Sequence, residues 1–147
     1  RTLLPALHAH ALTDKRMVIA PNLDRHVFGL KADVKDNIQY VEENLVLYPA
    51  GHTTVLYHTE QKTQKFIPGT PESEGITALA VSSSKKYVAV AERADRGVVT
   101  VYDLHTLKRR KVLASPEVLS KEFVSMTFSP DGTLLAAQGG APPRTPP

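Results

Sequence analysis

The sequence predicts an all-β fold, a β-propeller fragment of about two and a half blades. Three observations carry that reading. Residues 75–115 divide into four short strands separated by turns, and four hairpin-linked strands in about 40 residues make one propeller blade. The stretch from Phe123 to Ala137 falls on Ile76 to Val90 at an offset of 47 residues. The stretch from Asn37 to Gly69 carries the pattern again: Val55-Leu56-Tyr57-His58 aligns with Thr100-Val101-Tyr102-Asp103 at an offset of 45, and Lys65-Phe66-Ile67 with Lys111-Val112-Leu113 at 46. A period near 45 seen three times points to stacked repeats, each too small to bury both of its faces alone.

The elements follow in order. Residues 1–25 form an N-terminal arm or a closing strand, with turn signals at Thr13–Arg16 and Pro21-Asn22 around the short apolar run Met17–Ala20. The propeller part is residues 26–138. His26–Leu30 is a short strand or extended lead-in, and the charged run Lys31–Asn37 is a loop. Blade one, residues 37–69, takes strands at Ile38–Val41, Leu45–Tyr48, Thr53–Tyr57 and Thr63–Ile67. Pro68-Gly69-Thr70-Pro71 opens a linker. Blade two, residues 75–115, takes Ile76–Ser82, Tyr87–Glu92, Val98–Leu104 and Arg109–Ala114, with Val99, Val101 and Leu104 as inward candidates. Its turns fall at Ser83–Lys86, at Ala94–Gly97, where Gly97 is expected to supply a positive φ, and at His105–Lys108. Pro116–Glu122 is a helical or irregular link. The inner hairpin of blade three, residues 123–138, turns at Ser129-Pro130-Asp131-Gly132: Pro130 fixes φ, Asp131 bonds its own backbone, and Gly132 takes the left-handed position. The Pro-rich stretch 139–147 is a loop or tail, because Pro has no N–H for a central strand.

Composition narrows the function. Among the 147 residues there is no Cys, which excludes disulfides and Cys-ligated zinc. The longest apolar run is far short of the ~20 residues that span a bilayer, and Leu3–Leu7 is too short and Pro-broken for a signal peptide. From Asn37 onward 111 residues supply about two and a half blades at ~45 residues each, so the sequence reads as part of a larger ring whose other blades lie C-terminal.

The candidate chemistry is sparse. Lys108, Arg109, Arg110 and Lys111 concentrate the excess positive charge and are the one candidate contact for an acidic partner, such as a tubulin tail, nucleic acid or lipid headgroups. The competing and favoured reading is a solvated outer strand kept from edge pairing by its charge. At 6% aromatic residues, with no stacking motif beside the charges, nothing supports nucleic acid. His8 and His10 share a strand face, but no third ligand lies nearby, so no metal site is read. Ser82 and Ser129 recur at the repeat offset and read as turn formers. There is no G-x-S-x-G elbow, Walker A loop or G-x-G-x-x-G. No catalytic or cofactor-binding residue is assigned, and the chain reads as non-enzymatic. The "F-S-P-D-G-x-x-L-A" phrase of residues 128–136 is the inner hairpin of a WD-repeat blade, and Asp103 after Tyr102 stands in the Trp-Asp slot of that repeat, a structural role.

Beyond the repeat itself, His26–Leu30, Val34–Tyr40 and Leu45–His52 resemble the opening of the cilia- and flagella-associated WD-repeat proteins. Gln61–Gly69, Lys108–Leu113 and Phe123–Asp131 continue the resemblance in order, so it covers about residues 26–138. It implies tandem WD propellers followed by long coiled coils. It also implies a non-catalytic part of the ciliary axoneme that helps place or regulate inner dynein arms on doublet microtubules. The implied partners are inner dynein arm subunits, related WD-repeat coiled-coil proteins and doublet tubulin within a large complex, with no nucleic acid and no membrane. Residues 1–25 and the Pro-rich tail depart from the pattern. A WD-repeat adaptor outside cilia is the alternative.

Overall fold

A computed structural model describes residues 27–114 and 119–140. Among them are ten strands and no helix: β1 (Gln39–Glu42), β2 (Leu45–Ala50), β3 (Thr53–His58), β4 (Thr63–Ile67), β5 (Gly75–Val81), β6 (Tyr87–Arg93), β7 (Val98–Asp103), β8 (Arg109–Leu113), β9 (Phe123–Phe128) and β10 (Leu135–Gly139). They form two four-stranded antiparallel meanders, β1-β2-β3-β4 and β5-β6-β7-β8, and a hairpin β9-β10. Every strand read from the sequence in these residues is present, with ends displaced by a residue or two. The expected arm at 1–25, the start of the link at 116–118 and residues 141–147 of the tail lie outside the described residues. Residues 119–122 of the link are irregular, and Val27–Leu30 are a lead-in rather than a strand: the Gln64 side chain accepts from the Val27 N–H at 2.7 Å and donates to its carbonyl at 3.1 Å.

The second sheet is covered on both faces. Toward the first sheet, Ile76, Leu79, Val88, Val90, Tyr102 and Leu104 pack on Val41, Leu47, Leu56 and Ile67. On the other face Ala78, Ala80, Ala89, Ala91 and Val99 receive Met126, Phe123, Phe128 and Leu135 of the hairpin. The expected inward set therefore splits: Leu104 joins the first core, while Val99 and Val101 join the second. A bulge at Thr77, between the Ile76 and Ala78 pairings, turns Ile76 and Leu79 to the same side although they are three residues apart.

The repeat is visible in atomic detail at the hairpin turns. Ser82 Oγ accepts from the Tyr87 N–H at 3.1 Å, and Ser129 Oγ from the Leu134 N–H at 3.0 Å. The Ser82 carbonyl accepts from the Lys85 N–H and the Ser129 carbonyl from the Gly132 N–H, both at 2.9 Å. Gly132 takes φ +74° as expected, and Lys85 stands in the same slot at φ +59°. Its ammonium then reaches the Tyr40 carbonyl of the first sheet at 3.1 Å.

Gly97 corrects its expectation: its φ is not positive. Instead the next connector runs close against it. A Cβ there would lie 3.1 Å from Glu122 N and from Lys121 C. Its N–H donates to the Ser120 carbonyl at 2.9 Å, so it ties the second sheet to the hairpin.

Candidate protein-interaction surface

Strand β8 is the outer edge of the second sheet, with β7 as its single neighbour among the described residues. Arg109 lies opposite Tyr102 and Lys111 opposite Val101, so Arg110 is the extra residue of a bulge. Lys108, Arg109, Arg110 and Lys111 are all exposed, as is Val112. Lys31 pairs with Asp33, and Arg93 with Glu74 and Glu122; among the described residues no ion pair engages 108–111. Among the described residues, four adjacent cations thus stand on a strand edge without a contacting counter-charge.

The turn that leads into this strand is built by Asp103. Its Oδ1 accepts from the N–H groups of His105 and Thr106, both at 2.9 Å. Those bonds, the Thr106 one first, hold the Asp103 carboxyl below its usual range, and Arg110 adds to this at longer range. Leu107 closes the turn at φ +58°. In the first sheet His58 occupies the same slot. Its Nδ1 accepts from the Gln61 N–H at 3.2 Å, and Lys62 takes φ +52°. The two turns open onto a cleft of about 660 Å³ between the sheets, lined by Glu42, His58, Lys65, Lys85 and Asp103 among others. Its charges are mixed in sign, and His58 and Asp103 within it serve their turns.

A second depression, of about 610 Å³, adjoins the basic strand. Glu72, Glu74 and Asp95 line it with Arg96 and Arg109, together with Thr70, Thr100 and Val112. Thr100 is fully buried. Nearby is the one buried carboxylate of the described core. Glu92 is 1% exposed; its Oε1 accepts from the Thr70 N–H at 2.9 Å, while Oε2 has no partner. Sequence reasoning passes over Glu92, because a Glu closing the run Tyr-Val-Ala-Val-Ala reads as the solvated end of a strand. The buried environment comes from the first sheet and its connector, which no local pattern reveals.

The other sequence candidates are structural or lie elsewhere. Ser82 and Ser129 serve their turns. His105 is exposed in the turn after β7, and His52 sits in the β2–β3 turn. His8, His10 and His26 lie outside the described residues. Among the described residues no group of three or more His, Cys, Asp or Glu could hold a metal ion.

No family model matches the chain. Curated relatives do. Cilia- and flagella-associated protein 57 of Mus musculus is 38% identical over 120 residues, 80% of this chain and 10% of that protein. Cilia- and flagella-associated protein 57 A of Tetrahymena thermophila is 41% identical over 83 residues, 54% of this chain and 6% of that protein. Cilia- and flagella-associated protein 44 of Mus musculus is 32% identical over 120 residues, 82% of this chain and 6% of that protein. The chain spans a tenth or less of the length of these relatives. With its WD-repeat propeller blades and this similarity, the chain belongs to the family of cilia- and flagella-associated protein 57.

Proposed function

We propose that this chain is the opening part of a non-catalytic scaffold of the cilium or flagellum, located in the axoneme, and that the scaffold helps place or regulate inner dynein arms on the doublet microtubules. The observation that carries the proposal is the agreement between two kinds of likeness. The chain is 38% identical to a protein named for its association with cilia and flagella. It also has the stacked β-meanders of a fold that works through broad rigid surfaces. In this reading residues 37–69 and 75–115 are the first two blades, and 123–138 is the inner hairpin of a third. Their rims would meet ciliary proteins: inner dynein arm subunits, related WD-repeat coiled-coil proteins and tubulin. Ser82, Ser129, His58 and Asp103 are engaged in their turns, which fits a binding role without chemistry.

The test is retention of the tagged full-length protein on detergent-stripped axonemes, scored before and after high-salt extraction, together with imaging of the inner arms in a null strain. Retention on the doublets, with particular inner arms lost or displaced in the null strain, is the expected result. A soluble pool with no axonemal signal overturns the proposal and leaves a WD-repeat adaptor outside cilia.

A further inference from the structure

We propose that the outer strand of the second blade is a docking strip for an extended, acidic peptide segment of a partner protein. The inference deepens the scaffold reading and rests on it for the claim that a partner is bound at all.

Three features of the strip argue for this occupant. The first is charge. Lys108, Arg109, Arg110 and Lys111 are consecutive, exposed and outside the ion pairs of the described residues, so each can meet a carboxylate without first giving one up. Asp103, on which Arg110 acts, has Oδ1 committed to two backbone N–H groups of its own turn. The second is the edge. Among the described residues β8 has an unpaired side, and the four like charges on each copy disfavour pairing with another copy of itself. The same charges favour an acidic strand, since opposite charges across an antiparallel pair attract and like charges repel. The third is the ground beside the strip. Exposed Val112 offers an apolar contact at the end of the charged run; the adjoining 610 Å³ depression carries Glu72, Glu74 and Asp95 and is not part of the strip. An extended peptide with alternating acidic and apolar residues matches that sequence of charged edge and apolar step. The strip differs from its counterpart in the first blade, where β4 carries Lys65 as its single charged residue.

The experiment uses the full-length protein and a short fluorescein-labelled peptide of alternating Glu and Val, followed by fluorescence anisotropy. A Gln-Val peptide, phosphatidylserine vesicles and single-stranded DNA are the competing probes. Binding of the Glu-Val peptide should weaken as salt is added. It should fall by about tenfold or more when Lys108→Gln, Arg109→Gln, Arg110→Gln and Lys111→Gln are combined, given the size of single exposed charge pairs. The double variant Lys108→Arg, Lys111→Arg should bind as the parent does, which separates loss of charge from loss of fold. Equal affinity of the parent and the four-fold Gln variant overturns the proposal. So does tighter binding of vesicles or DNA than of the Glu-Val peptide through the same four residues, because the strip would then serve another class of anion. Axonemal retention of the same proteins is scored in parallel. Retention without peptide binding refutes the strip and leaves the scaffold; peptide binding without retention refutes the scaffold and leaves the strip.

Discussion

Replacing Gly69 by Ala should open the join between the first two blades. Gly69 lies in the connector from β4 to β5. A Cβ built there would run into the His52 carbonyl oxygen and stand 2.7 Å from Glu92 Oε1 and 3.0 Å from His52 Cβ. The closest of these atoms is backbone and cannot rotate away, so the connector itself must move. Overpacking of this kind costs about 1–3 kcal/mol. The movement also strains the 2.9 Å bond from the Thr70 N–H to Glu92, whose other oxygen already lacks a partner. Losing a hydrogen bond to a buried charged group costs about 1.5–3 kcal/mol. Together these give about 2.5–6 kcal/mol, or roughly two to four orders of magnitude in the local opening constant. Gly51→Ala is the matched comparison. Nothing lies within 4 Å of its Cβ position, but φ is +65°, so the cost is that of the left-handed backbone alone, about 1–2 kcal/mol. Native-state hydrogen exchange of the full-length protein, read by mass spectrometry on peptides covering β5 and β6, measures both. If Gly69→Ala raises exchange there no more than Gly51→Ala does, the close approach at the connector is not what holds the join.

Three further outcomes follow from the same geometry. Glu92→Gln keeps an oxygen for the Thr70 N–H and removes the buried charge, so its stability should stay within about 1 kcal/mol of the parent, whereas Glu92→Ala should lose about 2–3 kcal/mol; denaturant melts of the full-length protein rank them. His58→Asp places in the first blade the residue that Asp103 provides in the second, where it accepts two N–H bonds instead of one, and should slow exchange of the Gln61 amide by a few-fold, a gain of about 0.5–1 kcal/mol. The Asp131 carboxyl accepts from Ser129 Oγ, Thr133 N and Thr133 Oγ1, the Ser129 bond acting most strongly, and its pKa is lowered to about 2. A depressed carboxyl stabilises the fold fully above its ordinary value of 3.8 and loses that contribution as the pH falls through about 2. An NMR titration of Asp131 should therefore give a midpoint near 2 that rises in Ser129→Ala; a midpoint at the ordinary value would contradict the turn geometry.

The strands are legible in the sequence because they repeat. A run such as Val98–Leu104 is short, but its match to Thr53–His58 45 residues earlier makes the assignment firm. Ser82 and Ser129 are legible for the same reason, since a residue that recurs at a turn reads as part of the turn, and Asp103 is legible from its place in the Trp-Asp slot of the repeat. The basic strand is legible as composition, and its exposure follows from its place at the edge. What stays hidden depends on neighbours distant in sequence. Gly97 reads as a conformational glycine, whereas the backbone of residues 121 and 122 explains it. Glu92 is buried by the Gly69–Thr70 connector. The division of β7 between two cores needs the sheets on both sides, which a period-two pattern cannot assign.

The four alanines on one face of the second sheet have a consequence beyond local packing. Blades stand around an axis like wedges, and a ring closes only when the angles between successive wedges add to a full circle. Leu, Ile, Val and Tyr side chains set the step from the first blade to the second, whereas Ala78, Ala80, Ala89 and Ala91 admit the Phe and Met side chains of the third. Side-chain volume on these faces therefore acts as an angular gauge. Enlarging Ala89 would alter the pitch between two blades, and the misfit would be felt wherever the circle has to meet itself.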